Sequence, residues 1–322
     1  MITISSGIPT FFIDKVRDDV EHECQAKKSV MESAVTVVPI AGVEALGFNQ
    51  MARKEMQLKE GRNPATPRND TNTERRWCFH DPYHYAEQFD KDDNLEMMLD
   101  PAAETVPAIR WARNRKVDDI VIACFDATVF AGRMSNTKSI TWASERGTTK
   151  YARLATAVEG RTIPHDCSVG NCSASDTGMT VEKIQLVLEY FARMEVDTDE
   201  PIFGAISPIQ GTDLWGQEEY VSIDYNTDKP LATGTILKRW GGINWLVSNK
   251  IVVGSSNDVD VDTDVYKNWF WTKAGIKLGV AKSFAIDIHP RYDLSMAQEI
   301  YADLNMGALR HNEDRVCVVE CQ

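Results

Sequence analysis

Residues 99–127, LDPAAETVPAIRWARNRKVDDIVIACFDA, decide how the rest of the chain is read. Asp100 is a good N-cap, and Pro101 suits the first helical position, where a missing N–H costs nothing. Val106, Ile109, Val117, Ile120, Val121 and Cys124 then recur at roughly helical spacing as far as Ala127. The pattern predicts a helix over about 100–127, about 39 Å long at 1.5 Å per residue and able to cross a whole domain. Pro107 is expected to kink it or to mark its true start.

Upstream, Phe12, Val16, Val20 and Cys24 recur every fourth residue, so 11–30 reads as a short helix with one apolar stripe that needs a partner surface. Residues 34–48, AVTVVPIAGVEALGF, read as extended chain, with Pro39 confining it to an edge strand or an arm. Residues 51–76 hold seven basic side chains against four acidic ones in a chain of net charge −13, with a turn cluster at 60–64. Little in this stretch can be buried. It reads as a protruding two-stranded loop, which composition alone would call a solvated surface loop.

The aromatic run 77–90 precedes the long helix as a returning strand, and downstream of the helix 131–178 reads as loops and short strands. A second helix is expected from Val181 to about Met194, capped by Thr180, with Ile184, Leu188 and Phe191 as its stripe. Strands follow at 202–207, 235–240 and 243–247, with a turn at Trp240-Gly241-Gly242. Alternation of Ile276, Leu278 and Val280, of Ile286 and Ile288, of Ile300 through Met306, and of Val316 and Val318 argues for half-buried antiparallel strands. The class is α+β, without internal repeats.

Several function classes find no support. The charge balance makes a general nucleic-acid binder a poor fit. Seven irregularly spaced cysteines fit free thiols in a reducing compartment, and neither a signal peptide nor a membrane span is visible. The common nucleotide, hydrolase and metalloprotease motifs are absent. Cys78, His80 and His84 make a C-x-H-x3-H cluster that could hold zinc, but no fourth ligand is near. His165, Cys167 and Cys172 have the wrong spacing, and Asp258, Asp260, Asp262 and Asp264 fail the calcium-loop pattern at Thr263 and Trp269. No cofactor, metal ligand or catalytic residue is assigned.

The order of elements resembles the major capsid proteins of tailed bacteriophages, in particular a podovirus-type family, whose fold is shared with encapsulins and the herpesvirus capsid floor. The resemblance rests on four segments in order. They are Leu99-Asp100-Pro101 with the helix through Asp118-Asp119-Ile120-Val121-Ile122-Ala123; Val181–Val196 with Ile206-Ser207-Pro208; Asp224-Tyr225-Asn226 with Gly234-Thr235-Ile236 and Gly241-Gly242-Ile243-Asn244; and Met306-Gly307-Ala308-Leu309-Arg310 through Cys321.

The resemblance implies an N-terminal arm (1–49), an extended loop (50–78), a peripheral domain (79–177) with a spine helix at about 100–127, an axial domain (178–268) and return strands of the peripheral domain (269–322). It further implies a coat protein that assembles in the host cytoplasm into hexamers and pentamers of an icosahedral head around double-stranded DNA, without sequence-specific binding and with no membrane. Phe12, Val16 and Val20 of the arm and Lys54, Lys59, Arg62 and Arg68 of the loop become the expected inter-subunit contacts. Scaffolding is expected from a separate protein, beside a portal and a decoration protein. Lys54 and Lys59 lie in the loop that some members crosslink, but no partner Asn or Glu can be placed, so no crosslink is expected. The competing readings are an encapsulin-like compartment shell and a metal-dependent cytosolic enzyme using Cys78, His80 and His84.

Overall fold

The computed structural model describes residues 25–142, 162–164, 178–221, 238–254 and 265–321, apart from the runs 63–69 and 90–100 and nine single positions within those ranges. The long helix α1 spans Pro101–Asp126 and runs through Pro107, which is therefore not its start. Pro107 is the seventh helical residue, beyond the first turn where a missing N–H is free, so the helix passes through it at the cost of one i→i−4 bond. The second helix, α2, is Val181–Arg193, and the Thr180 hydroxyl accepts from the Lys183 N–H, as its cap position requires. Two short helices follow, α3 (Pro208–Trp215) and α4 (Glu218–Val221).

The strands form three sheets. One is four-stranded, in the order β1 (Thr36–Pro39), β13 (Ile276–Arg291), β14 (Ala297–Arg310) and β4 (Asp81–Phe89). Pro39 sits on the edge strand, where its missing N–H breaks no ladder. A second is seven-stranded: β7 (Thr162–Ile163), β15 (Val316–Cys321), β12 (Val265–Thr272), β8 (Ile202–Ile206), β10 (Ile243–Val247) and β9 (Arg239–Trp240), with β11 (Val253–Gly254) paired to β12. The third contains β2 (Ala45–Met51), β3 (Thr73–Phe79), β5 (Val129–Arg133) and β6 (Asn136–Ile140). The β13–β14 pair is antiparallel as its alternation implies; β12–β15 is antiparallel too, but β15 is buried on both faces rather than half-buried as Val316 and Val318 suggested, because helices cover both sides of its sheet, and β8–β10, β1–β13 and β7–β15 are parallel. The β8–β10 pair is joined through α3 and α4, a crossover that alternation cannot reveal. Between β9 and β10, Gly241 and Gly242 both have positive φ, which explains the Gly-Gly step of that turn.

The central strands of the second sheet are buried on both faces. Phe270, Cys317, Val319 and Cys321 pack toward α2, with Ile184, Val187, Tyr190 and Phe191. Trp269, Trp271, Val316 and Val318 pack the other way, against Val117, Val121 and Phe125 of α1. One sheet thus serves two cores, and the Trp269, Phe270 and Trp271 rings are spent on packing inside the subunit. The four described cysteines, 78, 124, 317 and 321, are free and buried.

The stretch 25–31 is not helical, so the helix expected over 11–30 does not reach its end; residues 1–24, with Phe12, Val16, Val20 and Cys24, lie outside the described residues. The reason is local. The buried Asp118 carboxylate accepts the Ser29 hydroxyl at 2.6 Å, the Val30 N–H at 3.2 Å and the Met31 N–H at 3.1 Å. Those backbone donors are satisfied by α1 rather than by a helix of their own. Glu32 then pairs with Arg113 at 2.9 Å, and the Trp271 indole donates to the Ala34 carbonyl at 2.9 Å. Asp118→Ala is expected to destabilise the subunit by about 2–3 kcal/mol, since charge-assisted bonds are lost and two amides are orphaned. Hydrogen exchange at Val30 and Met31 should rise by at least an order of magnitude. Unchanged protection there would mean that Asp118 does not hold the arm.

Candidate inter-subunit surface

The extended loop is the excursion between β2 and β3, which pair in antiparallel register from Ala45↔Phe79 to Met51↔Thr73. Its root is tightly built. Leu46 and Phe48 pack on a small core of Ile40, Cys78, Val129, Ala131, Ile140 and Leu309. The Trp77 indole donates to the Gly132 carbonyl at 2.8 Å, and Arg75 lies over the Trp77 ring.

Below the hairpin, Arg76 forms an ion pair with Glu313, and Glu313 also accepts from Arg310 Nε at 3.2 Å. Arg310 is wholly buried and donates to the Phe125 and Cys124 carbonyls at the C-terminus of α1. Arg76 donates in turn to the Arg310 carbonyl at 3.3 Å. Arg76 also reaches the half-exposed Glu74 at 3.5 Å, so Glu313 is the one buried carboxylate facing two guanidiniums, and the negative end of the helix adds to it at Arg310. The loop root, the spine helix and the last strands are therefore joined through one buried polar cluster.

The far part of the loop has the opposite character. Met51, Met56 and Leu58 are exposed, Met56 completely and Leu58 by 89%. Lys54, Lys59 and Arg62 are exposed as well, while Arg68 lies outside the described residues. Isolated exposed apolar residues are ordinary, but a rigid root carrying a bare apolar tip indicates a surface finished by another molecule.

Among the described residues, the Cys78, His80 and His84 cluster expected of a metal-dependent enzyme does not come together. Cys78 is buried and faces the Gly307 carbonyl, and burial pushes its thiol up to about 11. His80 bonds to Asn305 at 2.8 Å, and His84 stacks on Tyr301. The cluster is thus divided among different partners, and no group of three His, Cys, Asp or Glu side chains suited to a metal occurs among the described residues. Burial raises Cys124 to about 12 and Cys321 to about 11, so neither offers a reactive thiolate near neutrality. His165, Cys167, Cys172 and the 258–264 acidic run lie outside the described residues. No described helix is long and apolar enough to cross a membrane.

The anchoring side chains Arg76, Arg310, Glu313 and Asp118 were not singled out from the sequence. One signal existed: Arg310 falls on the inward phase of the alternation set by Leu304 and Met306, as Arg76 does with Cys78. A charge on the buried phase of a strand requires a buried counter-charge.

Comparison with known proteins assigns this architecture. The family model for phage capsid proteins matches residues 8–322. The fold is similar to the capsid of cyanophage P-SCSP1u (14% identity, TM-score 0.66, covering 97% of this chain and 93% of that one). It is also similar to the capsid of cyanophage Pam1 (10% identity, TM-score 0.67, 97% of each chain) and to that of Ralstonia phage GP4 (11% identity, TM-score 0.65, 100% and 98%). No curated protein matches the chain. The chain belongs to the phage capsid protein family: it is a structural protein, a major capsid protein of a phage head, found in the virion as a homo-oligomeric shell.

Proposed function

We propose that the subunit tiles an icosahedral head as hexamers and pentamers enclosing double-stranded DNA, with the arm (1–49) and the extended loop (50–78) as its limbs, 79–177 and 269–322 as the peripheral domain and 178–268 as the axial domain. The observation that carries this reading is the loop: a root locked by the Arg76–Glu313–Arg310 cluster, and a tip whose Met56 and Leu58 are left exposed by the described residues. Heterologous contacts of such a limb close into rings when the rotation between neighbours permits, and rings tile a shell. Lys54, Lys59, Arg62 and Arg68 of the loop and Phe12, Val16 and Val20 of the arm make the inter-subunit contacts. Many weak contacts acting together hold the shell. Assembly takes place in the host cytoplasm with a separate scaffolding protein and a portal, and a decoration protein can be added outside. The acidic subunit, net −13, encloses duplex DNA without gripping it.

Negative-stain microscopy of the protein expressed with its genomic neighbours should show closed shells. Replacing residues 52–72 by a two-residue Asn-Gly turn should leave a folded subunit that forms none, because the pairing of β2 with β3 is kept. Closed shells from the loop-deleted protein would refute the role given to the loop. A protein that stays a monomer with its scaffold present would refute the whole reading.

A further inference from the structure

The arm segment 25–32 lies along one face of α1, and together they concentrate positive charge. The Asn114 side chain donates to the Lys27 carbonyl at 2.9 Å, and Arg115 donates to the Gln25 side chain at 2.5 Å. The Lys27 ammonium stands 4.9 Å from the centre of the Trp111 ring. Residues 110, 111, 114 and 115 share one helix face, so Arg110 stands one turn from the Asn114–Lys27 contact. Across 25–32 and 109–119, the six cations Lys27, Lys28, Arg110, Arg113, Arg115 and Lys116 outnumber the three carboxylates Glu32, Asp118 and Asp119. That is a local +3 in a chain of net −13.

The carboxylates are already taken. Glu32 pairs with Arg113, Asp119 pairs with Lys250 at 2.5 Å, and Asp118 accepts from Ser29 and the arm backbone. Arg115 is left with a neutral amide, and Lys116 with the Tyr83 ring. Lys28 and Arg110 are exposed, with no carboxylate in ion-pair distance among the described residues. No large apolar side chain of either segment is exposed. A protein partner would need apolar anchors at the centre of its interface. A cationic surface without them suits a line of phosphates, which Lys and Arg contact by releasing condensed counterions.

Given the shell reading above, on which this rests, we propose that the strip of Lys27, Lys28, Arg110 and Arg115 is where the subunit touches the phosphate backbone of the enclosed duplex, so that this face of α1 is turned to the lumen. Phosphate contacts carry no sequence information, as a shell around a whole genome requires. The rest of the subunit, being acidic, opposes the duplex. The contact is therefore confined to the strip, weak for one copy and sensitive to salt.

Lysine reactivity tests it in DNA-filled heads and in the same heads after their DNA has been released. A small amine-acylating reagent should modify Lys27 and Lys28 about threefold or more slowly while the DNA is inside, with Lys54 and Lys59 unchanged. Raising the salt from about 0.05 M to about 0.5 M should remove most of that difference, because phosphate contacts made by counterion release weaken with salt. Lys28→Gln together with Arg110→Gln should leave the melting temperature of the unassembled subunit unchanged, since both side chains are exposed without an ion-pair partner among the described residues. Filled heads of that variant should lose most of the protection at Lys27. Equal reactivity of Lys27 and Lys28 in filled and emptied heads overturns the strip while leaving the capsid reading intact. Protection that survives release of the DNA also overturns it, because a protein then covers the strip, and so does protection indifferent to salt. Failure of the unmodified protein to form shells overturns both.

Discussion

Glu313→Gln is expected to be among the most damaging single substitutions in this chain. It removes the only carboxylate that the described structure gives the buried Arg310, and it breaks the buried ion pair with Arg76. An amide can accept one hydrogen bond but cannot neutralise two guanidiniums, and the helix end alone does not replace an ionic partner. Removing one member of a buried pair typically costs about 3–5 kcal/mol, much of it the penalty of the charge left behind. The melting temperature of the unassembled subunit should fall by on the order of 10 °C. Because Arg76 belongs to the loop root, cleavage of the 52–72 segment by added protease should also speed up. Glu189→Gln is the control. It breaks a half-exposed i,i+4 pair with Arg193 and should cost about 0.5 kcal/mol or less. If the two variants melt alike, the polar cluster does not hold the loop root.

Gly307→Ala should rival it by a steric route. A Cβ at Gly307 would lie 1.8 Å from the Phe79 carbonyl oxygen and 3.0 Å from the His80 Cα, so the obstacle is backbone. Gly307 pairs with Gly279 across β13–β14, where a Cβ would come within 2.3 Å of the Ile40 side-chain tip. At these facing glycines the β3–β4 junction and the residue after the edge strand cross the long hairpin. Overpacking a core typically costs about 1–3 kcal/mol when side chains can yield, and more is expected where the main chain must move. The expected order of damage is Gly307→Ala, then Gly279→Ala, then Gly42→Ala. Gly42 has φ +70° and open space, so a Cβ there brings only left-handed strain of about 1 kcal/mol. Solubility and melting of the three variants would check the order. Gly307→Ala no worse than Gly42→Ala would mean that the crossing is looser than drawn.

Much of the fold was legible because it is local. Both main helices were readable from apolar spacing and caps, and Thr180 caps α2 as its position predicted. The β13 and β14 strands were readable from alternation, and the edge position of β1 from Pro39. The loop was readable only as a polar excursion, since nothing in its composition distinguishes a solvated surface from a limb awaiting a partner. Pro107 left two readings, a kink or the helix start, and the helix running from Pro101 through it excludes the start. The 11–30 helix misled at its C-terminal end because a stripe says nothing about competing acceptors, and Asp118 is such an acceptor.

The sequence alone determined the elements, their order and the kind of protein they compose, because helix spacing, strand alternation and caps act over a few residues. Only the tertiary structure decided that one sheet feeds two cores, that β8 and β10 run parallel, that Asp118 takes the arm and that Glu313 joins the loop root to the spine helix. Those features bring together residues tens to hundreds of positions apart. Their free energy comes from burial and from pairing charges out of water, and neither exists until the chain has folded.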